Sequence, residues 1–450
     1  MIEEIKELIE ERKYKDVKEK IIELEEADIA EILCELEPKD LVKIFRLIPK
    51  DTAAEVFAYL PIENEQAIIS SLTTKDAADI IDNMAADDAT DLMEEMPANV
   101  VKRLLSKTTS ETRRVINQLL NYPEDSAGSI MTVEFIDLKE KTTVKQAIRK
   151  IKMLAEDIEA IDTCFVTDSR RKLLGIVTLK ELILSDDKEI VGNIMTNYEA
   201  NITTLTDQEQ VAKQFKKYDV TSMPVVDSEN RLVGIITIDD IVDIMEAETT
   251  EDIEKMAAIT PGDKPYLKTT VFEVWKKRIP WLLLLMVSAT FTGSIINKFE
   301  ASLAIFPILT AFIPMLMDTG GNSGSQASVT IIRGIAINEI EGKNTFKIIF
   351  KEFRVALLCG LTLALANLLK IFLIDNTLLH NNISFKIASV ISLTLVFTVV
   401  VAKIIGSTLP ILAKKMKLDP AVMASPFITT IVDAVSLLIY FKIATMILGI

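Results

Sequence analysis

The chain has 450 residues, enough for two to four domains, and its formal net charge of -16 is distributed unevenly. Residues 1–264 hold 33 basic and 57 acidic residues (net -24), whereas residues 265–450 hold 17 basic and 9 acidic residues (net +8). The acidic half would repel the phosphates of a nucleic acid, and the three isolated cysteines argue against a soft-ligand zinc site.

The N-terminal region, residues 1–127, predicts an α-helical superhelix of short helices whose hand is not determined. Helix boundaries recur every 11 or 12 residues, at Pro38, Pro49, Pro61, Thr73, Ala85, Pro97 and Thr109. Proline in a first turn and acids close behind it both mark helix starts. Within the acidic second half, Asp87 and Asp91 are one helical turn apart and would share a face. A solvated face is the usual explanation of such a run. The charged, amphipathic N-terminus does not predict a signal peptide.

Residues 128–245 contain an internal repeat. Both copies carry Ile-Met-Thr, at 130–132 and 194–196, followed by a Gly-Ile-(Val/Ile)-Thr motif at 175–178 and 234–237. Each copy resembles a CBS domain, which implies an α/β tandem CBS pair. The resemblance also implies a candidate adenine-nucleotide site, with Thr178 and Thr237 facing the ribose and an acid three residues later, Glu181 or Asp240. A purely structural turn is the alternative interpretation of both motifs.

Residues 246–268 predict an acidic connecting helix. The acids cluster at Asp239, Asp240, Asp243, Glu246, Glu248, Glu251, Asp252 and Glu254. The helical spacing of Ile244, Ala247, Glu251 and Lys255 predicts a helix over 243–256. Two carboxylates about 6 Å apart repel by roughly 3 kcal/mol at an effective dielectric near 20, so divalent cations would favour packing of this helix. The alternative is that the acids only keep the linker soluble.

Residues 269–450 predict a five-helix α transmembrane domain. The apolar stretches lie at 280–296, 303–317 (running on toward 337), 355–374, 387–412 and 421–448. Basic residues concentrate before the first span, between the second and third, and between the fourth and fifth. The positive-inside rule therefore predicts cytoplasmic N-terminal domains and a C-terminus outside.

Two spans carry polar residues. The second contains the small, polar run 318–326 (DTGGNSGSQ), which predicts either a helix broken at membrane depth or a helix-packing motif. The fifth carries Asp419 at its cytoplasmic start and Asp433 within the span, 14 residues later, roughly 21 Å along one helix. Pro426 between them is expected to free a backbone carbonyl one turn earlier.

Asp433 is the residue that most strongly indicates function. A carboxylate at membrane depth costs about 2.5–3.5 kcal/mol, so it normally faces water or a cation. Without His or Cys beside it, the site suits a hard divalent ion that keeps most of its waters, as Mg²⁺ does. Two copies could face one axis in a symmetric dimer. The alternative is a structural carboxylate neutralised by Lys403, by Lys442 or by its own protonation.

The order of helical repeat, CBS pair, acidic helix and spans with GGNSGSQ and DPAVMASPFITTIVD resembles the MgtE family of magnesium channels. The resemblance covers nearly the whole chain. It implies a homodimer with a pore between the second and fifth spans, closed by the connecting "plug" helix when cytosolic Mg²⁺ is high. Ser323 departs mildly from the Thr or Ala usual in the family motif.

The resemblance also implies roles for individual residues. The pore metal would be held by Asp433 and Asp419. The pore lining would include Asn322, Gln326, Pro426, Thr429 and Thr430. The regulatory metal ligands would come from Asp87, Asp91, Asp207, Glu209, Asp219, Asp240, Asp243, Glu248, Glu251 and Asp252.

The sequence thus predicts a multi-pass plasma-membrane protein that is not an enzyme, because no catalytic constellation or phosphate loop is visible. We expect a Mg²⁺-selective influx channel, with Mg²⁺ as both substrate and negative-feedback regulator, ATP as a candidate ligand of the CBS pair, and lipid and a second copy as partners. A carrier for Mn²⁺, Co²⁺ or Ca²⁺, or one coupled to Na⁺ or H⁺, remains open. An anion channel is disfavoured by Asp433 and Asp419.

Overall fold

The computed structural model describes residues 2–155, 158, 160–198, 202–262, 266–267, 269–337, 339–340, 344–423 and 425–449. The chain divides into two compact units, Met1–Met245 and Glu246–Ile450. Each unit has its own hydrophobic core.

The first part of the first unit is a series of short helices. They are α1 (Ile2–Glu10), α2 (Tyr14–Ile21), α3 (Glu26–Cys34), α4 (Pro38–Phe45), α5 (Lys50–Ala58), α6 (Ile62–Ser71), α7 (Thr74–Ile81), α8 (Ala86–Glu94), α9 (Ala98–Leu105) and α10 (Ser110–Leu119). From α4 onward each begins at or directly after one of the predicted boundary residues. Thr73 and Thr109 cap their helices by accepting a backbone N–H three residues on. One apolar core, from Ile5 to Ile116, runs through the series.

The second part of this unit contains two small sheets. The strands are β1 (Asp137–Lys139), β2 (Thr163–Thr167), β3 (Leu173–Thr178) and β4 (Thr196–Asn197) in one sheet, and β5 (Ser222–Val226) and β6 (Leu232–Thr237) in the other. β1 and β2 are parallel, and the other pairs are antiparallel. The helices between them are α11 (Val144–Leu154), α12 (Leu179–Leu184), α13 (Val191–Ile194) and α14 (Gln208–Tyr218).

Each repeat pairs, through its Ile-Met-Thr motif, with the Gly-Ile-(Val/Ile)-Thr strand of the other repeat. Thr196, from the second Ile-Met-Thr, pairs with Ile176 of the first repeat, and Thr132 pairs with Ile235 of the second. A Cβ at Gly234 would lie 2.7 Å from the Thr132 carbonyl oxygen, so only glycine permits this approach. Gly175 occupies the matching place in the first repeat, against Thr196. In each case, therefore, the Ile-Met-Thr motif of one repeat pairs with the Gly-Ile-(Val/Ile)-Thr motif of the other.

The helix α15 (Ile238–Met256) follows β6 directly. It therefore begins before the predicted connecting segment, residues 246–268. That predicted segment also includes residues 263–265 and 268, which lie outside the described residues.

The second unit contains the long apolar helices. They are α16 (Val271–Lys298), α17 (Glu300–Ile305), α18 (Ile313–Ala336), α19 (Thr345–Lys370), α20 (Phe385–Lys415) and α21 (Ser425–Leu448). Within the described residues, four segments are long and apolar enough to cross a membrane: Val271–Lys298, Thr345–Asp375, Phe385–Lys415 and Pro420–Leu448. The predicted second span is instead α17, a 3₁₀ turn (Pro307–Phe312) and α18. Because this segment is not one of the four, the total of five spans stays a prediction.

The predicted break at residues 318–326 is wrong, because α18 is one continuous α-helix. Its glycines face neighbouring helices at very close range. A Cβ at Gly324 would lie 2.9 Å from Ile428 Cγ2 on α21 and 3.2 Å from the Ala402 carbonyl oxygen on α20. Close packing offsets the helix cost of each glycine, about 1 kcal/mol, so the small residues serve as a packing motif.

The predicted effect of Pro426 is also wrong. Residues Pro420–Met423 form a 3₁₀ turn, and α21 begins only at Ser425. Pro426 thus lies in the first helical turn, where its missing N–H breaks no helical hydrogen bond. Asp419 and Asp433 are consequently not joined by one helix, and the estimate of 21 Å does not apply. Asp433 lies about 12 Å along α21 from its first residue.

Candidate functional site

Asp433 is the deepest acid of α21. Its side chain is half-buried, and its Oδ1 atom has no hydrogen-bond partner among the described residues. In the described part of the chain, neither Lys403 nor Lys442 forms an ion pair with it. The charge that acts on Asp433 is another carboxylate, Asp318 on α18. Within the described part of the chain, the two predicted counter-ions therefore do not pair with Asp433.

Three polar side chains line one exposed face of α18. Asp318, Asn322 and Gln326 follow one another at intervals of four residues, and all three are exposed. The Asn322 side-chain amide donates to Asp318 Oδ1 at 3.0 Å. This face brings a second carboxylate, Asp318, close enough for its charge to act on Asp433. Sequence reasoning gave Asp318 no role, although the cost of a carboxylate at membrane depth applies to it as it does to Asp433.

The other predicted lining residues lie on α21 near its start. Thr429 packs on α18, since its Cγ2 atom would lie 2.8 Å from a Cβ at Gly321. The Thr430 hydroxyl donates to the Pro426 carbonyl at 3.0 Å. These contacts give Thr429 and Thr430 local packing roles, and their place in a pore stays a prediction.

Asp419 lies directly before the 3₁₀ turn that precedes α21. Its Oδ1 atom accepts from the Ala421 N–H at 2.8 Å, and its Oδ2 atom lies 2.7 Å from Lys255 Nζ on α15. The same ammonium lies 2.5 Å from Glu251 Oε1. Burial disfavours the charge on Lys255, but its bonds to Asp419 and Glu251 outweigh this and raise the pKa of the ammonium. Lys255 is therefore a firmly held cation.

A second acidic group lies in the first unit, around α8 and the start of α15. Asp87 is only 7% exposed, so the expectation of a solvated face fails for this residue. Burial and the charges of Asp240 and Asp88 raise the pKa of Asp87 well above its usual value. Asp240 has a pKa of about 6, mainly because of burial, even though Thr237 donates to it at 2.6 Å.

Two further acids extend this group. Burial, with repulsion from Asp88 and Asp91, raises the pKa of Glu65 to about 8. The pKa of Asp91 is raised to about 7, mainly because the protein packed around it removes water and also because of the charge of Glu94. Asp91 is nevertheless exposed on α8, so solvent screens its charge more than that of Asp87. Glu65 is a residue that sequence reasoning missed, because its neighbours along α6 do not distinguish it from a surface acid. Together these acids form a negative cluster that is unfavourable without protons or cations.

Three predicted sensor residues have local roles in the second CBS repeat. Asp207 caps α14 by accepting from the backbone N–H groups of Glu209 and Gln210. Glu209 pairs with Lys213 at 2.6 Å, and Asp219 ends the helix in a left-handed conformation (φ 49°). Their metal-binding role stays a prediction.

The remaining sensor candidates lie along α15. Asp243 is exposed, Glu248 and Asp252 are half-buried, and Glu251 is held by Lys255. Throughout the described ranges, no three acidic, His or Cys side chains converge closely enough to hold a metal ion. A hydrated divalent cation, bound through one or two carboxylates, suits such sparse sites better than a dehydrated one.

Both candidate nucleotide motifs form helix-capping turns. Thr178 and Glu181 make a reciprocal capping box at the start of α12. Thr237 donates to Asp240 at the start of α15. The structural alternative therefore describes the turns in this chain, and their hydroxyl and carboxylate groups remain of the type that binds a ribose.

Comparison with protein families accounts for most of the chain. The family described as a divalent cation transporter, MgtE, matches residues 313–443, and the MgtE intracellular N domain matches residues 24–125. CBS domains match residues 127–187 and 191–247.

Similar proteins agree with these matches. The magnesium transporter MgtE of Thermus thermophilus is 36% identical over 77% of this chain and 75% of its own length. That of Bacillus subtilis is 37% identical over 76% of this chain and 74% of its own. Among solved structures, the cytosolic domain of the Mg²⁺ channel MgtE in complex with ATP is 32% identical, with a TM-score of 0.52, over 54% of this chain and all of its own. These relatives are transporters, which confirms that the chain is not an enzyme. From its domains and its relatives, the chain belongs to the MgtE family of divalent cation transporters.

Proposed function

We propose that the chain is a Mg²⁺-selective channel that mediates magnesium influx as a homodimer in the cell membrane. Transport of Mg²⁺ is supported by the relatives in Thermus thermophilus and Bacillus subtilis, both magnesium transporters. The observation that carries the proposal is Asp433, a half-buried carboxylate on an apolar helix with an unpartnered oxygen among the described residues.

The path for the ion would run along the exposed face of α18 and the start of α21. Asp433, Asp318 and Asn322 would act on the hydration shell of the cation. Asp419 would bind at the cytoplasmic mouth, and Gln326, Pro426, Thr429 and Thr430 would line the path. In a symmetric dimer, two copies of each carboxylate would face one axis, which doubles the negative charge that attracts a divalent ion.

The proposed topology has five spans, with α18 as the second, cytoplasmic N-terminal domains and the C-terminus outside. In support, residues 276–278 near the start of α16 and residues 414–417 at the end of α20 supply basic clusters at two of the expected cytoplasmic ends of the spans. A polar helix such as α18 can cross a bilayer when its polar face lines water and its small residues pack on neighbours. The proposed domains are residues 1–127, 128–245, 246–268 and 269–450.

The proposed regulation is closure by cytosolic Mg²⁺. Asp87, Asp88 and Asp240 are buried or half-buried acids whose charges oppose one another, so bound cations would stabilise the state in which these groups and the acids along α15 are close. The sensor ligands would come from Asp87, Asp91, Asp207, Glu209, Asp219, Asp240, Asp243, Glu248, Glu251 and Asp252. Ions that favour the closed state by about 5.5 kcal/mol in total would move the population from 1:99 to 99:1.

ATP is a proposed ligand of the CBS pair. The cytosolic domain of a related Mg²⁺ channel has been solved with ATP. In this chain Thr178 and Thr237 with Asp240 would contact the ribose. Because Asp240 also belongs to the acidic cluster, a bound nucleotide would couple to the cations held there.

Flux measurements on the Asp433 side chain test the channel proposal. Wild type, Asp433→Asn and Asp433→Glu would be reconstituted in liposomes and Mg²⁺ influx followed with an entrapped dye. We expect Asp433→Asn, which keeps the shape and removes the charge, to lower influx at least about tenfold, and Asp433→Glu to retain part of it. Equal influx in all three would contradict the proposal. Adding Mn²⁺, Co²⁺ or Ca²⁺ outside tests selectivity, because a channel for another divalent ion would be blocked by that ion at lower concentration.

A further inference from the structure

The contact between the connecting helix and the pore mouth contains a lysine, Lys255, between two carboxylates that could otherwise hold a metal cation. Lys255 Nζ lies 2.7 Å from Asp419 Oδ2 and 2.5 Å from Glu251 Oε1. The Lys255 side chain is 23% exposed and that of Asp419 is 34% exposed, so the pair is partly shielded from water. One of the two carboxylates belongs to the proposed pore and the other to the proposed sensor.

The helix end is also held by apolar contact. Met256, the next residue and the last of α15, packs against the buried Ile332 of α18 and Ala421 of the turn before α21. The Ser328 hydroxyl of α18 donates to the Met423 carbonyl of the same turn at 3.2 Å. The ion pair therefore forms where the C-terminal end of α15, α18 and the 3₁₀ turn before α21 meet, and these residues all belong to the second unit.

Both carboxylate oxygens of Asp419 have a partner in this arrangement. Its Oδ2 atom faces Lys255, and its Oδ1 atom accepts from the Ala421 N–H. A divalent cation, whether bound directly or through water, must share or displace the ammonium. Removing the ammonium would leave Glu251 and Asp419 facing each other as like charges across the same gap.

We propose that Lys255 is a built-in counter-ion that holds the connecting helix on the pore mouth and competes with divalent cations for Asp419. The inference rests on the proposed gating and adds one element to it. The Lys255–Asp419 ion pair stabilises the closed state without any metal ion, so less cytosolic Mg²⁺ is needed for closure. Opening requires that the Lys255–Asp419 pair separate.

The test compares Lys255→Met, which keeps the length of the side chain and removes its charge, with Lys255→Arg, which keeps the charge. Lys415→Met is the matched control, because Lys415 is an exposed lysine at the end of α20 with no ion pair among the described residues. Mg²⁺ influx into proteoliposomes would be measured over a series of internal Mg²⁺ concentrations. We expect Lys255→Met to raise the internal Mg²⁺ concentration that halves influx about three- to tenfold. In Lys255→Arg and Lys415→Met this concentration should stay near the wild-type value.

A second readout does not depend on transport. Hydrogen exchange of residues 251–262 in the full-length protein, with Mg²⁺ removed by chelator, reports whether the helix end is held. We expect faster exchange in Lys255→Met than in wild type, with rescue in Lys255→Arg and no change in Lys415→Met. Unchanged exchange and unchanged half-closure in Lys255→Met would overturn the inference. If wild-type influx ignores internal Mg²⁺ altogether, the proposed gating fails, while the exchange comparison still decides whether Lys255 holds the helix.

Discussion

At the scale of single residues, the packing of α18 depends on positions where no side chain fits. Gly406 on α20 faces the Gly324 carbonyl of α18 so closely that a Cβ would overlap a backbone oxygen. A backbone group cannot move aside without moving its helix, so this contact sets the distance between α18 and α20.

Gly406→Ala is therefore expected to destabilise the membrane unit by about 1–3 kcal/mol through overpacking. Gly293→Ala is the matched control, because a Cβ at Gly293 on α16 meets nothing within 4 Å. The control should be neutral or slightly stabilising, since alanine favours helix over glycine. Thermal unfolding of both variants in the same detergent, followed by size-exclusion chromatography, measures the difference. Equal melting temperatures would show that α18 and α20 are less closely packed than described.

The chemistry of single residues also explains which residues of the candidate site could be predicted from the sequence. Asp433 was identifiable because one carboxylate in an apolar segment is costly wherever its neighbours lie. Asp318 obeys the same rule, but its polar, glycine-rich surroundings suggested a broken helix and concealed its place on a regular helical face. Lys255 and Glu65 could not be assigned, because their roles come from Asp419 and from Asp88 and Asp91, which are distant in sequence.

At the scale of elements, the acidic cluster around α8 and the start of α15 makes the first unit sensitive to pH. The pKa values of Glu65 (about 8) and Asp240 (about 6) are raised by folding, and that of buried Asp87 is raised as well. Between pH 4, near their unfolded values, and pH 8, the folded chain holds more protons than the unfolded chain. Raising the pH through this interval therefore destabilises the fold unless a cation replaces the protons.

We expect the melting temperature of a fragment covering residues 1–247, in chelator, to fall by about 5 °C or more from pH 5 to pH 8. Added Mg²⁺ should restore it mainly at pH 8. Asp87→Asn should weaken both effects, whereas Glu111→Gln, at an exposed position on α10, should leave them unchanged. Differential scanning calorimetry of the three proteins at the two pH values measures this. A melting temperature that rises with pH in chelator would contradict the assignment.

The elements also differ in how far the sequence predicts them. The helix starts of α4 to α10 follow from residues within one turn, and the CBS repeat follows from motifs that recur along the chain. The course of α18 depends instead on α20 and α21, whose close approach compensates for its glycines. The local spacing of residues 243–256 predicts the end of α15 at Met256. The 3₁₀ turn before α21 depends instead on contacts such as Ser328 with Met423, which local patterns do not encode.

At the scale of the whole molecule, we propose that one chain both conducts Mg²⁺ and senses it. The acidic N-terminal half would then sense Mg²⁺, and the basic, apolar C-terminal half would conduct it. Charge at the sensor would favour separation of the acidic groups when cytosolic Mg²⁺ is scarce, and bound ions would favour closure when it is plentiful.

The most direct test is Mg²⁺ influx into proteoliposomes whose internal Mg²⁺ is set low or high, with wild type and the double variant Glu248→Gln, Asp252→Asn. This variant removes two sensor charges and leaves the Glu251–Lys255–Asp419 contact intact. We predict that high internal Mg²⁺ suppresses wild-type influx at least about tenfold and suppresses influx through the double variant much less. Equal suppression in the two proteins would contradict the sensor, and influx through wild type that ignores internal Mg²⁺ would contradict the feedback mechanism itself.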